Sequence, residues 1–237
     1  MNNLLAGNFF SVVGEIFTNP KYVSMIFSGL KMTVIVSVGA AILGLLLGTI
    51  VAMIKITPKT NKFMSVPRVI CDVYITIIRG TPMALQLFLM AFVILTARGI
   101  PQEVVAIVAF GINSGAYVAE NVRAGILSVE KGQMEAGRAL GLNGSQTMMK
   151  IIIPQGMKNV VPAIGNELIA LIKETSIVGM IGMYDLTQVS KILGSGQNLA
   201  TYFAPTTVIA LFYLAIVYIV TFLVKTIERR LRESDRN

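Results

Sequence analysis

The sequence predicts an all-α integral membrane protein with five transmembrane helices, and three observations carry that prediction. Hydrophobic residues make up 54% of the 237 positions and charged residues only 14%, whereas soluble domains carry about 25% charged residues. The mean hydropathy is +0.73. Apolar runs near the roughly 20 residues needed to cross hydrocarbon recur along the chain, with Lys and Arg clustered between them. The formal net charge of +8 therefore does not indicate nucleic acid, because the basic residues form no single stripe. Their placement follows the rule that Lys and Arg stay on the cytoplasmic side.

Five segments qualify as crossings: Ile26 to Ile54, Met83 to Ala97, Val104 to Ile126, about Val160 to Met183, and Thr206 to Val224. The third and fourth are less apolar because they hold ionisable residues. A mixed helix from about Met64 to Ile78 precedes the second and is expected to lie partly at the cytoplasmic interface, with Asp72 and Arg79 seven apart on one face. Thr81 before Pro82 suits a helix boundary, since a residue preceding proline disfavours the helical region. Gly44-x-x-x-Gly48, with Gly39 and Ala40 before it, gives the first segment a small-residue face for helix packing, expected within the chain.

The connections orient the set. Lys55, Lys59, Lys62 and Arg68 follow the first segment without an acid, and Arg98 and Glu103 cancel after the second. Lys131, Arg138, Lys150 and Lys158 outweigh Glu130 and Glu135 after the third, and Asp185 and Lys191 cancel after the fourth. The tail is basic again: Lys225, Arg229, Arg230, Arg232 and Arg236 against Glu228, Glu233 and Asp235. This alternation predicts an outside N-terminus, a cytoplasmic C-terminus and an odd number of crossings. Cys71 is the only cysteine and there is no histidine, which excludes an internal disulfide, Cys/His metal sites and Ser-His-Asp chemistry. No basic segment leads into an apolar core at the N-terminus, so no cleavable signal peptide is expected. Without Gly/Ser linkers or large polar blocks, one membrane domain spans 1–237. Its core runs from about 22 to 226, and its main polar connection from about 130 to 156.

That connection holds EAGRALGLNGSQTMMKIIIP, Glu135 to Pro154. Glu135, Ala136, Gly137 and Ala139 start a short helix, Gly141 and Gly144 turn it, Ser145 is placed to cap a second turn, and Pro154 is expected to stop that turn and redirect the chain. On turn chemistry alone, a solvated loop describes the stretch equally well. The pattern E-A-x-x-x-x-G, nine residues, then I-x-x-P resembles the signature loop of ABC importer permeases. Here it reads Glu135, Ala136, Gly137, Gly141, Ile151 and Pro154, with Gly137 where the family usually has alanine and Ile153 where it usually has leucine. Arg79-Gly80-Thr81-Pro82 with Gln86, Ser114 to Gly125, and Lys173 to Val178 followed by Ile181-Gly182 are similar to stretches of the polar amino acid branch.

The resemblance implies a type I ABC importer permease in the inner membrane, with the loop as a coupling helix seated in a cytoplasmic ATPase. It implies a second permease chain, identical or homologous, two ATPase subunits carrying ATP and Mg, and an extracytoplasmic binding protein that delivers an amino acid. The chain has no G-x-x-x-x-G-K-[ST] and so is not the ATPase itself. An ion-driven secondary transporter is the alternative, but such folds usually carry internal repeats, and none is evident. A scaffold protein would need no carboxylates at matched depth, and an intramembrane hydrolase is disfavoured by the absence of histidine and of a nucleophile arrangement.

Ionisable groups inside a membrane are expensive and functional by default. Glu120, Asn121 and Arg123 lie in the third segment; Asn166, Glu167, Lys173 and Glu174 lie in the fourth. Glu120 and Glu167 each fall about seven residues from a cytoplasmic edge, about 10 Å deep. They could line the path and meet the substrate's ammonium or cationic side chain, which tilts the expected cargo toward basic amino acids. Alternatively Glu120 neutralises Arg123 three residues on, and Lys173 and Glu174 bond neighbouring helices. Asn113 and Ser114, between Gly111 and Gly115, suit either close helix packing or contact with a ligand.

Overall fold

The computed structural model describes residues 2–57, 62–97, 99–195 and 199–233, and every regular element among them is a helix. The connection charges Lys59, Arg98, Asp235 and Arg236, and the side chains of Lys62, Arg232 and Glu233, lie outside the described residues.

Helix α1, Asn2–Thr18, has no counterpart among the apolar runs; its 17 residues are too few and too mixed to read as a crossing. Asn19 ends it and caps α2, Pro20–Ile56, accepting a hydrogen bond from the Lys21 backbone N–H at 3.0 Å. Pro20 suits a first helical turn, where its missing N–H has no partner to lose. At 1.5 Å per residue α2 is about 55 Å long, well beyond a hydrocarbon core of about 30 Å.

Helices α3, Ser65–Gly80, and α4, Met83–Leu89, meet at a 109° bend, and α4 runs on as a π-helical turn, Met90–Ile94. Then come α5, Gln102–Leu127; α6, Lys131–Ala139; and α7, Gly144–Thr147. A second π-helical turn, Met148–Ile152, leads from α7 into α8, Ile153–Glu174. A 3-10 stretch, Thr175–Ile181, ends at Gly182, whose φ of +79° suits a residue without a Cβ. Helices α9, Leu186–Leu193, and α10, Leu199–Glu233, complete the chain.

Among the described residues, α2, α5 and residues 202–231 of α10 are long and apolar enough to cross a membrane, and the bent α3–α4 pair makes a fourth such unit. Helix α8 is the fifth crossing. Its 22 residues span about 33 Å, and Asn166, Glu167, Lys173 and Glu174 are what depress its hydropathy. The fourth segment thus starts at Ile153 instead of Val160, and its α-helix stops at Glu174 instead of Met183. Pro154 does not stop a turn, contrary to expectation; the backbone stays helical through it, just after the π-helical turn Met148–Ile152, where the ordinary hydrogen-bond register is already relaxed.

Helix α2 contributes to all four buried clusters, and α5 to three of them. Their seam is built from small residues. A Cβ placed on Gly44 would lie 2.8 Å from Ser114 Oγ, and one on Gly48 would lie 2.6 Å from Val118 Cβ and 2.7 Å from the Gly115 carbonyl. Gly111 of α5 faces Leu43 of α2 just as closely. The Gly-x-x-x-Gly face therefore works within the chain. We expect Gly48→Leu to destabilise the protein by about 1–3 kcal/mol, the usual range for overpacking, and to lower its unfolding temperature in detergent. Gly14→Ala, where a Cβ meets nothing within 4 Å, should leave that temperature unchanged or slightly raised.

Candidate functional site

Helix α5 carries polar residues on two faces, because residues seven apart share a side of a helix. Asn113 and Glu120 form one such pair, Ser114 and Asn121 the other. The structure separates them: the first pair faces α3 and α4, while Ser114 faces α2 and the cavity beside α8.

On the first face, the break between α3 and α4 explains Gln86. Pro82 has no N–H, so the Ile78 carbonyl four residues earlier loses its helical partner. The Gln86 Nε2 group supplies the missing donor at 2.8 Å and also donates to the Thr81 carbonyl at 3.1 Å. Its Oε1 accepts from Asn113 Nδ2 at 2.9 Å, so α5 is tied to the bend. The spacing of Pro82 and Gln86 held this information, since a side-chain amide four residues beyond a proline can reach back to the released carbonyl.

Below lies a charge cluster. Lys55 Nζ of α2 sits 2.9 Å from Asp72 of α3 and 3.1 Å from Glu120 of α5. Arg123 grips Glu120 with two nitrogens, at 3.2 and 2.9 Å, the bidentate geometry that makes such pairs strong. Arg79 approaches Glu120 at 3.9 Å and lies 5.1 Å from the centre of the Tyr117 ring. Asp72 and Arg79 do share a face, and it is turned to this cluster. Three cations thus serve two carboxylates. The pairing of Glu120 with Arg123 is present, whereas Lys55, its third partner, stands 65 residues away in sequence and carries no local sign of the contact.

On the second face, Ser114 is fully buried and its hydroxyl makes no hydrogen bond of ordinary length. It lines a cavity of about 370 Å³ with Glu167 of α8, Gly165 and apolar residues of α2 and α10. Glu167 is the polar group that approaches Ser114. Glu174, seven residues on, shares the face of Glu167, and neither carboxylate makes a salt bridge among the described residues. Lys173 and Glu174 do not bond neighbouring helices there. Glu120 and Glu167 are not brought into one cavity: Glu120 turns to its cations and Glu167 to Ser114. Asn121, a helical neighbour of Ser114, is half-buried.

The stretch from Glu135 to Pro154 folds as α6, a bend and α7 running on into α8. Gly141 makes the bend with φ +84°. The cap of α7 is Asn143, not Ser145: its side chain accepts from Gln146 N at 2.9 Å while Gln146 returns a bond to Asn143 N, a capping box. Glu135, Ala136, Gly141 and Pro154 are exposed, as is Leu140 at 81%; Ile151 is half-buried. Gly137 is buried because a Cβ there would lie 2.4 Å from Thr147 Cγ2. The usual alanine of this position is thus excluded by a threonine ten residues on.

Crossing helices with polar groups lodged between them, joined by a long connection with exposed short helices, make up a multi-pass helical membrane protein. The family model described as "binding-protein-dependent transport system inner membrane component" matches residues 44–233. The chain belongs to this family, the permease subunits of ABC transporters, which are transport components and not catalytic ones. It is 39% identical over 215 residues to the arginine transport system permease protein of Bacillus subtilis (strain 168), covering 90% of this chain and 95% of that one. It is 34% identical over 215 residues to the glutamine transport system permease protein of Escherichia coli (strain K12), covering 89% and 94%. A crystal structure of an amino acid ABC transporter with histidines superposes with a TM-score of 0.80 at 38% identity, over 91% of this chain and 98% of that one. An inward-facing methionine ABC transporter shares the fold, with a TM-score of 0.73 at 20% identity over 90% and 99%.

Gly137→Ala should cost this protein about 1–3 kcal/mol, read as a lower unfolding temperature. Thr147→Ser, which removes the offending methyl and keeps the hydroxyl that donates to the Asn143 carbonyl at 3.0 Å, should recover part of that loss in the double variant. Equal effects in the single and double variants would show that the contact does not set the glycine.

Proposed function

We propose that this chain is the permease subunit of an ATP-driven importer of polar amino acids, basic ones foremost, coupled to its ATPase through Glu135, Ala136, Gly137, Gly141, Ile151 and Pro154. The observation that carries the reading is the folded connection, where Glu135, Ala136 and an 81% exposed Leu140 share a short helix end that no described residue covers. A docked ATPase would bury that leucine. One transmembrane domain covers 1–237, with its N-terminus outside and its C-terminus cytoplasmic. A second permease chain completes the path, a binding protein delivers the substrate, and ATP with Mg stays on the ATPase.

The path is assigned to Glu167, Ser114, Asn113, Asn121 and Glu120, with unequal roles. Glu167 has no salt bridge among the described residues, lines a cavity of about 370 Å³ together with the Ser114 hydroxyl it approaches, and suits an ammonium group. The arginine and glutamine for which two relatives are named, and the histidines of a related crystal structure, agree with cargo that carries an α-ammonium group and a polar or basic side chain. Glu120 is held by Lys55 and Arg123, which suits a path wall better than a ligand contact.

Copurification with the ATPase tests the coupling: Glu135→Lys with Leu140→Asp should release the ATPase from a detergent-purified complex and abolish substrate-stimulated hydrolysis. Retention of the ATPase by that variant would refute the docking. In proteoliposomes, Glu167→Gln should lower arginine uptake about tenfold or more, the loss expected for one charge-assisted contact, and glutamine uptake less. An equal fall for both substrates would remove Glu167 from recognition of side-chain charge.

A further inference from the structure

We propose that the cavity between the end of α2 and the α6–α7 bend binds an anionic phospholipid of the inner leaflet, with the phosphate on Arg138 and an acyl chain among methionines. The cavity is about 490 Å³ and is walled by Met53 and Ile56 of α2, Met134 of α6, and Met148 and Met149 beyond α7, with Arg138 at its rim. Arg138 Nη2 lies 3.4 Å from the point where a Cβ on Gly144 would sit, so the guanidinium lies over the bend. It makes no ion pair or hydrogen bond among the described residues.

The combination of walls and rim is specific. Four methionines line the slot, and their unbranched, adaptable side chains suit an irregular hydrocarbon chain. A planar guanidinium at the mouth offers forked donors that match a phosphate. Met53 and Ile56 belong to the last turn of the longest apolar helix, beside Lys55, which is where hydrocarbon gives way to headgroups. Basic pockets between helices at that level suit anionic headgroups. An acidic side chain of a docked protein would use the charge of Arg138 but not the slot behind it, whose walls include a membrane-crossing helix. The inference rests on the proposed cytoplasmic placement of 130–156.

Native mass spectrometry of the complex purified with its ATPase tests it, with phosphatidylglycerol and phosphatidylcholine titrated separately. The wild type should bind phosphatidylglycerol about tenfold more tightly than phosphatidylcholine, the preference one charge-assisted contact supplies. Arg138→Gln should abolish that preference with the ATPase still bound. Met149→Trp, at an exposed wall position, should weaken both lipids and leave the preference intact. Equal affinity of the wild type for the two lipids, or an unchanged preference in Arg138→Gln, overturns the proposal. Loss of the ATPase from Arg138→Gln with the preference retained assigns Arg138 to protein docking and overturns it too. If the wild type purifies without an ATPase, the coupling reading fails separately, and the titration decides the lipid site on the permease alone.

Discussion

The close approach of α2 and α5 is the constraint on which the rest of the molecule depends. In lipid, two apolar helices gain nothing from leaving water behind, so their association rests on contact between well-fitted surfaces. Gly44 and Gly48 bring α2 against Ser114, Gly115 and Val118, while Gly111 admits Leu43 from the other side. Because the backbones lie so near, α5 is fixed in rotation as well as position. That fixed rotation aims Asn113 and Glu120 at α3–α4 and Ser114 at the cavity shared with Glu167. A single bulky side chain on the seam would therefore disturb both polar faces at once.

The two faces solve the problem of polarity in oil differently. Around Glu120, each carboxylate oxygen has a cation near it, and removing one partner would leave a charge uncompensated, the costly way to break such a cluster. The cluster joins three helices, with Lys55 from α2, Asp72 and Arg79 from α3, and Glu120 and Arg123 from α5. The Gln86 amide does the same with neutral groups, closing a carbonyl released by proline and passing the tie on to Asn113. Around Ser114 and Glu167 the polar groups are left incompletely matched. A satisfied cluster holds helices together, whereas an unsatisfied one retains capacity for a ligand, and this contrast favours the second face for the recognition of cargo.

The helical class, the clear crossings and the internal Gly-x-x-x-Gly seam were legible in the residues because each is a local pattern: apolar run length, or small residues four apart. The start of α8 was not. Its first turns, from Ile153 to Asn159, hold Pro154, Gly156, Lys158 and Asn159 and do not read as a crossing, although they continue a span. Helix α1 escaped for a related reason, since seventeen mixed residues become a helix only by packing Val12, Val13 and Ile16 against α2, α9 and α10. Of the site, Glu120 with Arg123 was legible at a spacing of three. The engagement of Lys55 was not, because contacts across 65 residues leave no periodic trace. Asn143 outranks Ser145 as a cap because Gln146 stands three residues after it and completes a reciprocal pair, a signal that local spacing does contain.

The connection from Glu135 to Pro154 has the mechanics of a jointed lever. Its bend lies at Gly141, between α6 and α7; from Gly144 to Glu174 the backbone is helical without interruption. A push on α7 would thus travel along a single rod to Glu167, and the rod has two compliant points. The π-helical turn at Met148–Ile152 loosens the ordinary hydrogen-bond register, and Pro162, inside α8, has no N–H to contribute to the helical ladder. A push on α6 has another route, through the contact of Gly137 with Thr147 and through residues 128–130 to the foot of α5. Under the proposed coupling, α5 and α8 would therefore receive the motion of one docked surface by separate paths. The Ser114–Glu167 pair lies between those two helices, where any difference between the two displacements would open or close the cavity.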